Sequence, residues 1–233
     1  MLALGMIAAL AMPGTAQATP QLGDLGVKQS MSVKASNGES LEGKDLRAIQ
    51  LATYTAASVD GNTIVGYDLT TNTALASDIT AAAKAAGATD TNLTVNGKND
   101  PMVWVVKNLT DSRSDPWSGK LRNFCNSLAK QTNFAKQDGT AVSTLSQDKA
   151  TMSTGNVLVP GIYAIVDRTP ATTTLSSGTA IKTTASIMMM NGTAVNGVNQ
   201  LRTAGGTTLT LGQVIYKVSN VESRSEEHTS ELQ

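Results

Sequence analysis

The chain has 233 residues, in which 18 lysine and arginine residues balance 18 aspartate and glutamate residues. This balance provides no basic surface for nucleic acid or for an anionic membrane, and an apolar fraction of 40% excludes a wholly disordered chain. A single cysteine, Cys125, excludes an internal disulfide. Aromatic residues make up only 3% of a chain rich in Thr, Ser, Ala, Gly and Asn, as is typical of extracellular β-rich proteins.

The N-terminus has the pattern of a secretory signal peptide over residues 1–18. An apolar run over residues 1–12 has the length of a signal-peptide core, is too short to span a bilayer, and is broken by Pro13-Gly14. Ala16-Gln17-Ala18 follows as a small-x-small site, so we expect cleavage after Ala18. No cation precedes Lys28, which leaves open a misassigned start codon or a lost 5′ end. The alternative is a buried apolar helix of a cytosolic protein.

Strand patterns open the mature chain. Apolar residues alternate roughly over residues 25–33, and residues 46–54 and 63–69 are further strand candidates. Asp60-Gly61-Asn62 predicts a hairpin turn between the last two.

Helical patterns occupy the middle of the chain. Ser77 is the predicted cap of a helix over residues 77–86, and Asp100-Pro101 predicts the start of another over 102–109. Asp115-Pro116 repeats that start signal before the apolar stripe of Leu121, Phe124, Cys125 and Leu128. On this stripe Cys125 is expected to be an inert core thiol. Residues 141–149 are assigned to a further short helix.

Strands return at residues 156–159, 162–168, 179–190 and 207–218, with a Ser/Thr loop over 172–178. Strands that precede and follow a helical block predict a mainly β (α+β) fold. We expect an immunoglobulin-like β-sandwich with a helical insertion around residues 77–150.

The last ten residues do not continue the preceding pattern. Residues 224–233 have no apolar periodicity and resemble translated sequencing adapter, so we treat them as a non-native tail and assign the domain to residues 19–223. Without this tail the chain loses its one histidine, His228, and its net charge becomes about +2, from 17 cationic and 15 acidic residues. The natural protein is then expected to continue past Ser223. The alternative is a genuine disordered acidic tail.

The trimmed sequence contains no recognisable catalytic or metal-binding motif. A histidine base for a Ser or Cys nucleophile, a Cys/His zinc cluster, a phosphate loop and a dinucleotide fingerprint are all missing. Turns such as Asp60-Gly61-Asn62 carry oxygen ligands without the spacing of a calcium loop. Met188-Met189-Met190 fits core filling at a strand end better than a soft metal site, because neighbouring strand residues face opposite ways. We therefore expect no enzyme activity, no cofactor and no metal.

Four segments together resemble the N-terminal domain of isopeptide-forming fimbrial proteins, the sortase-assembled pilin subunits of Gram-positive bacteria. The segments are Asn99-Asp100-Pro101-Met102-Val103-Trp104-Val105-Val106, Pro160-Gly161-Ile162-Tyr163-Ala164-Ile165-Val166-Asp167-Arg168-Thr169, Ser186-Ile187-Met188-Met189-Met190-Asn191-Gly192 and Gly212-Gln213-Val214-Ile215-Tyr216-Lys217-Val218. The resemblance implies a secreted adhesion subunit of the cell wall, with tandem immunoglobulin-like domains. Its partners would be sortase, other pilin subunits and a host glycan or extracellular-matrix protein. Membrane contact would arise only through export and a C-terminal sorting signal.

The resemblance also implies two kinds of covalent bond. Sortase would join the next subunit to Lys217, which follows Tyr216 directly where related pilins carry Tyr-Pro-Lys-Asn. An internal lysine–asparagine cross-link would use Lys28 or Lys34, Asn220, and Asp167 as the helper acid. Two other function classes remain open: a freestanding adhesin or binding module, and a secreted enzyme.

Overall fold

A computed structural model describes residues 19–109, 119–170, 172–174, 180–183, 189–203, 206–216 and 220–222. These residues form a mainly β protein with several sheets and few helices, consistent with a β-sandwich. The predicted signal peptide, its cleavage site at Ala18, residue Lys217 and the C-terminal tail lie outside the described residues.

A long hairpin forms the centre of the main sheet. β3 (Leu46–Asp60) pairs antiparallel with β4 (Thr63–Thr71) through the predicted turn, where Asp60 faces Thr63. Across the sheet the order is β13 (Met189–Gly192), β10 (Gly161–Asp167), β3, β4, β14 (Gln200–Arg202) and β15 (Thr208–Thr210), while β1 (Gln21–Leu22) and β7 (Thr140–Val142) also pair with β3. The sequence-predicted strands over 46–54, 63–69 and 162–168 are therefore confirmed.

Three smaller sheets complete the strands of the described chain. The second sheet has the order β16 (Gln213–Tyr216), β2 (Ser32–Ala35), β9 (Thr151–Ser153) and β8 (Thr144–Leu145). The other two are β11 (Thr172–Thr174), β12 (Ala180–Thr183) and β17 (Asn220–Glu222), and the pair β5 (Thr94–Val95) and β6 (Lys98–Asn99).

The helices follow the central hairpin along the chain. They are α1 (Ala76–Ala85), α2 (Pro101–Asn108), α3 (Lys120–Leu128) and α4 (Thr132–Ala135), with 3-10 turns at Ser36–Gly38, Thr73–Leu75 and Asp90–Leu93. No helix in the described ranges is both long and apolar enough to cross a membrane. α1, α2 and α3 occupy their predicted places, but the helical block ends at Ala135, before the predicted limit near residue 150.

The two faces of the main sheet cover separate hydrophobic cores. The first core joins β3, β4 and β10 to the helices and includes Ile49, Ala164 and the predicted core thiol Cys125, which is buried. The second core lies between the main and second sheets and includes Ala48, Val33 and Tyr216. Neighbouring residues of one strand thus face opposite cores, as the two-residue period of a strand requires. Met189 packs against the second core and Met190 against the first, which confirms core filling for these two methionines.

Several predicted elements are wrong in type or extent. Residues 141–149 form no helix, because Val142 pairs with Leu46 in the main sheet and β8 pairs with β9. Part of the predicted Ser/Thr loop is the strand β11. The strand predicted over 207–218 is two strands, because Gly212 adopts φ +78 and turns the chain from one sheet to the other.

Other boundaries shift because long-range pairing decides them. The strand predicted over 25–33 begins only at Ser32. The strand predicted over 156–159 does not form, and its residue Leu158 makes only an isolated bridge with Gln29. The strand predicted over 179–190 appears as β12 and β13 in different sheets. Ser77 does not cap α1, because the helix continues from a 3-10 turn in which the Ala74 N–H donates to the Asn72 side chain.

Candidate functional site

Three polar side chains are buried together at one end of the second core. We call Lys44, Asp167 and Tyr216 the buried cluster. Lys44 Nζ lies 4.0 Å from Asp167 Oδ2, and both side chains are shielded from solvent, with exposed fractions of 0% and 1%. The Tyr216 hydroxyl donates a hydrogen bond of 2.5 Å to the same Asp167 oxygen, and the centre of its ring lies 5.8 Å from Lys44 Nζ. An amine, a carboxyl group and a phenol therefore share one dry site.

The pairing of β3 with β10 brings the first two groups together. Asp167 is the last residue of β10 and faces Leu46, the first residue of β3. Lys44 immediately precedes Asp45, whose carbonyl accepts the backbone N–H of Arg168 at 2.8 Å. Two strand ends with long-range pairing thus set the separation between the amine and the carboxyl group.

Backbone and hydroxyl groups also fix the carboxyl group of Asp167. The backbone N–H of Thr169 donates to Asp167 Oδ1 at 2.8 Å, while Tyr216 holds Oδ2. The Thr169 hydroxyl accepts the backbone N–H of Asp45 at 2.8 Å, which ties the segment after β10 to the residue beside Lys44. Both carboxyl oxygens therefore have defined partners, and the rotation of this group is restricted.

Burial changes the proton affinity of two cluster members. Loss of water around the amine lowers the pKa of Lys44, and the nearby Asp167 charge opposes this effect. Burial likewise raises the pKa of Tyr216, helped by its hydrogen bond to Asp167. A lysine with a lowered pKa has a larger neutral fraction, and the neutral amine is the nucleophilic form. Burial therefore favours the neutral form of the Lys44 amine more than exposure to solvent would.

The structure describes the side chains of three of the four residues predicted for an internal cross-link. Asp167 lies in the buried cluster, whereas Lys28 and Lys34 are exposed, and no described contact joins either lysine to Asp167. Asn220 begins β17, and its side chain lies outside the described part of the chain.

Sequence reasoning overlooked Lys44. It lies in the polar run Glu42-Gly43-Lys44-Asp45, which has the composition of a surface loop. A weak signal was present, because the run is short and is flanked by Leu41 and Leu46, which are both buried in the second core.

Asp78 is a buried polar residue outside the cluster that serves the fold. The buried carboxylate of Asp78 accepts hydrogen bonds from Asn133 and from the backbone of Phe134, which links α1 to α4. Within the described ranges, no group of three or more His, Cys, Asp or Glu side chains is placed to hold a metal ion.

Comparison with known proteins identifies no relative of this chain. No family model matches it, and neither a curated protein nor a solved structure does. The comparisons therefore show no family for this chain, and the resemblance to pilin subunits stays a prediction from the sequence motifs.

Proposed function

We propose that this chain is the exported first domain of a structural and adhesive subunit of a Gram-positive cell-surface pilus, polymerised by sortase. In this proposal the mainly β domain is immunoglobulin-like, carries load along the fibre and contacts a host glycan or matrix protein. The observation that supports it best is the buried pair of Lys44 and Asp167. A load-bearing domain whose single cysteine excludes an internal disulfide gains stability from another internal cross-link, and this pair provides the amine and the helper acid for one.

The proposed cross-link joins Lys44 to Asn220, with Asp167 as the helper acid. Lys44 takes the role that the family resemblance implies for Lys28 or Lys34, because only a desolvated amine becomes neutral readily. The Lys44 nitrogen bonds to Cγ of Asn220, the Cγ–Nδ2 bond breaks, and Nδ2 leaves as ammonia. The amine supplies the proton that ammonia needs, by way of the Asp167 carboxyl group, which ends unchanged. If Asp167 were itself the acyl group, one of its oxygens would leave as water.

The intact mass of the purified chain tests this cross-link. We expect wild type to lack one ammonia, and Lys44→Met to have the mass calculated for its unmodified sequence. Lys34→Met is the matched control, because it removes an exposed lysine and should keep the ammonia loss. Loss of water instead would identify Asp167 as the acyl group. An unmodified wild-type mass would exclude the cross-link in this domain.

Lys217 is the proposed acceptor for sortase. It directly follows the last residue of β16, although its own placement lies outside the described residues. Wild type, Lys217→Ala and the control Lys34→Ala are incubated with sortase and a peptide that carries a sorting signal. We expect conjugates with wild type and with Lys34→Ala, and none with Lys217→Ala. Equal conjugation of all three would exclude this role of Lys217.

Polymerisation in the native cell distinguishes a pilus subunit from a freestanding adhesin. Cell-wall extracts are separated under denaturing conditions and probed with an antibody against this domain. A ladder of covalent high-mass species is expected for a pilus. A single species would instead support the freestanding adhesin or binding module.

A further inference from the structure

Tyr216 contacts both reactive groups of the buried cluster. Its hydroxyl donates to Asp167 Oδ2 at 2.5 Å, and its ring centre lies 5.8 Å from Lys44 Nζ. The residue is itself only 2% exposed. A side chain that touches the amine and the carboxyl group at once can fix their relative position.

The position of Tyr216 in the fold makes this contact a bridge between sheets. Tyr216 ends β16 in the second sheet, where it faces Ala35 of β2 in a parallel pairing. Asp167 ends β10 in the main sheet. The hydrogen bond between them therefore forms only when the two sheets have packed against each other. The geometry of the cluster is in this way coupled to completion of the sandwich.

We propose that Tyr216 is the positioning residue of the cross-linking step, holding the Asp167 carboxyl group and the Lys44 amine in reactive register. This inference rests on the cross-link of the proposed function. The bond still forms between the Lys44 nitrogen and Cγ of Asn220 with loss of ammonia, and Tyr216 gains and loses no atom. Its hydroxyl fixes one carboxyl oxygen, and its ring gives the amine an apolar wall whose face also tolerates a cation before the proton leaves.

A second buried tyrosine provides a matched control. Tyr163 also packs in the second core, and its hydroxyl donates to the Val159 carbonyl and accepts a hydrogen bond from Gln50. No described contact joins it to Lys44 or Asp167. Tyr216→Phe and Tyr163→Phe thus remove the same hydroxyl group from the same core, but only the first change reaches the reactive groups.

The test follows folding and bond formation separately. Wild type and both variants are produced as inclusion bodies, dissolved in denaturant, checked to have the unmodified mass, and then diluted to refold. Circular dichroism measures folding, and the intact mass of samples quenched over time measures the loss of ammonia or water. We expect Tyr216→Phe to refold like wild type and to lose mass about 10- to 100-fold more slowly, as a misplaced reacting group does. Tyr163→Phe should lose mass at the wild-type rate.

Each other outcome has a definite meaning. Mass loss by Tyr216→Phe at the wild-type rate would overturn the role of Tyr216 and leave the cross-link intact. No mass loss in wild type would overturn both the cross-link and this inference. Equal slowing in Tyr163→Phe would overturn the inference, since loss of a core hydroxyl would then explain the effect. Should Tyr216→Phe not fold, fluorotyrosine at all four tyrosines keeps the rings and alters the donors. An unchanged rate in that folded chain would also overturn the role.

Discussion

The hydroxyl of Tyr54 lies where a side chain on residue 192 would begin. A β-carbon built on Gly192 would approach the Tyr54 oxygen to 2.2 Å, well inside contact distance. The Tyr54 hydroxyl is buried and has no hydrogen-bond partner among the described residues. The absence of a side chain at Gly192 therefore leaves space for the Tyr54 hydroxyl, which forms no described hydrogen bond there.

This contact predicts coupling between the two positions. Gly192→Ala alone should lower the free energy of unfolding by about 1–3 kcal/mol, because the new methyl group overlaps the hydroxyl. Tyr54→Phe alone should raise it by about 1 kcal/mol, because an unsatisfied buried hydroxyl is removed. In the double variant Gly192→Ala should lower the free energy of unfolding by less than it does alone. Denaturant unfolding of the four proteins should give a coupling energy of about 0.5–3 kcal/mol between the two positions.

The matched control is another strand glycine. Gly66 in β4 has open space where its β-carbon would lie, so Gly66→Ala should cost the same with Tyr54 or Phe at position 54. Strict additivity of Gly192→Ala and Tyr54→Phe would contradict the overlap.

Asp78 predicts a second stability effect, within the helical block. Its carboxylate accepts hydrogen bonds from Asn133 Nδ2 at 3.0 Å and from the backbone N–H of Phe134 at 2.8 Å, and the residue is buried. Asp78→Asn places an amide N–H against one of these donors and should lower the free energy of unfolding by about 2–3 kcal/mol. Denaturant unfolding provides the measurement.

Asp90 is the control for this change. Its carboxylate pairs with Lys84 at the surface, where its side chain is 84% exposed. Asp90→Asn should therefore cost no more than about 0.5 kcal/mol. Similar costs for the two variants would show that Asp78 does not hold α4 in place.

Local sequence signals were sufficient where neighbouring residues decide the structure. The turn Asp60-Gly61-Asn62 and the helix start at Asp100-Pro101 are fixed by backbone preferences and were placed correctly. The helix predicted over residues 141–149 is wrong because Val142 pairs with Leu46, almost a hundred residues earlier. A pattern within a short window contains no information about such a partner.

The sequence alone can predict only part of the candidate site, for the same reason. Asp167 is the single charged residue of the apolar strand β10, so its sequence context marks it as unusual. Lys44 becomes significant only through the register that sets Asp167 opposite Leu46. Tyr216 likewise reaches the cluster from β16 of the second sheet, and no sequence motif predicts the parallel pairing of β16 with β2.

Thr71 predicts a third effect, at the start of α2. Asp100 precedes this helix but does not cap it directly, and its carboxylate accepts hydrogen bonds from the Thr71 backbone and hydroxyl. The Thr71 oxygen then accepts the N–H of Met102 at 3.0 Å. Thr71→Val keeps the shape but breaks this relay, and should lower the free energy of unfolding by about 1–3 kcal/mol.

A neighbouring threonine supplies the comparison for Thr71. Thr70 is exposed on the opposite face of β4, so Thr70→Val should stay within about 0.5 kcal/mol of wild type. The melting temperature of the helices, measured by circular dichroism, should also be lower in Thr71→Val than in Thr70→Val. Identical melting curves would contradict the relay.

The buried tyrosines predict loss of stability at alkaline pH. Burial raises the pKa of Tyr54, most of all through loss of water, and it raises the pKa of Tyr163 to about 12. In the unfolded chain the pKa of a tyrosine is about 10. Above that pH the unfolded state binds fewer protons than the folded state, so the free energy of unfolding falls as pH rises toward the folded pKa values. Below about pH 10 this contribution is fully present.

Phenylalanine variants isolate the tyrosine contribution from that of Lys44, whose lowered pKa acts in the opposite direction. Denaturant unfolding is compared between about pH 9 and pH 11 for wild type, Tyr54→Phe and Tyr67→Phe. The decline with pH should be shallowest in Tyr54→Phe, because Tyr54 is buried more deeply than Tyr67 and cannot ionise without exposing the first core. An equal decline in wild type and Tyr54→Phe would show that its phenol ionises as readily in the folded protein as in the unfolded chain.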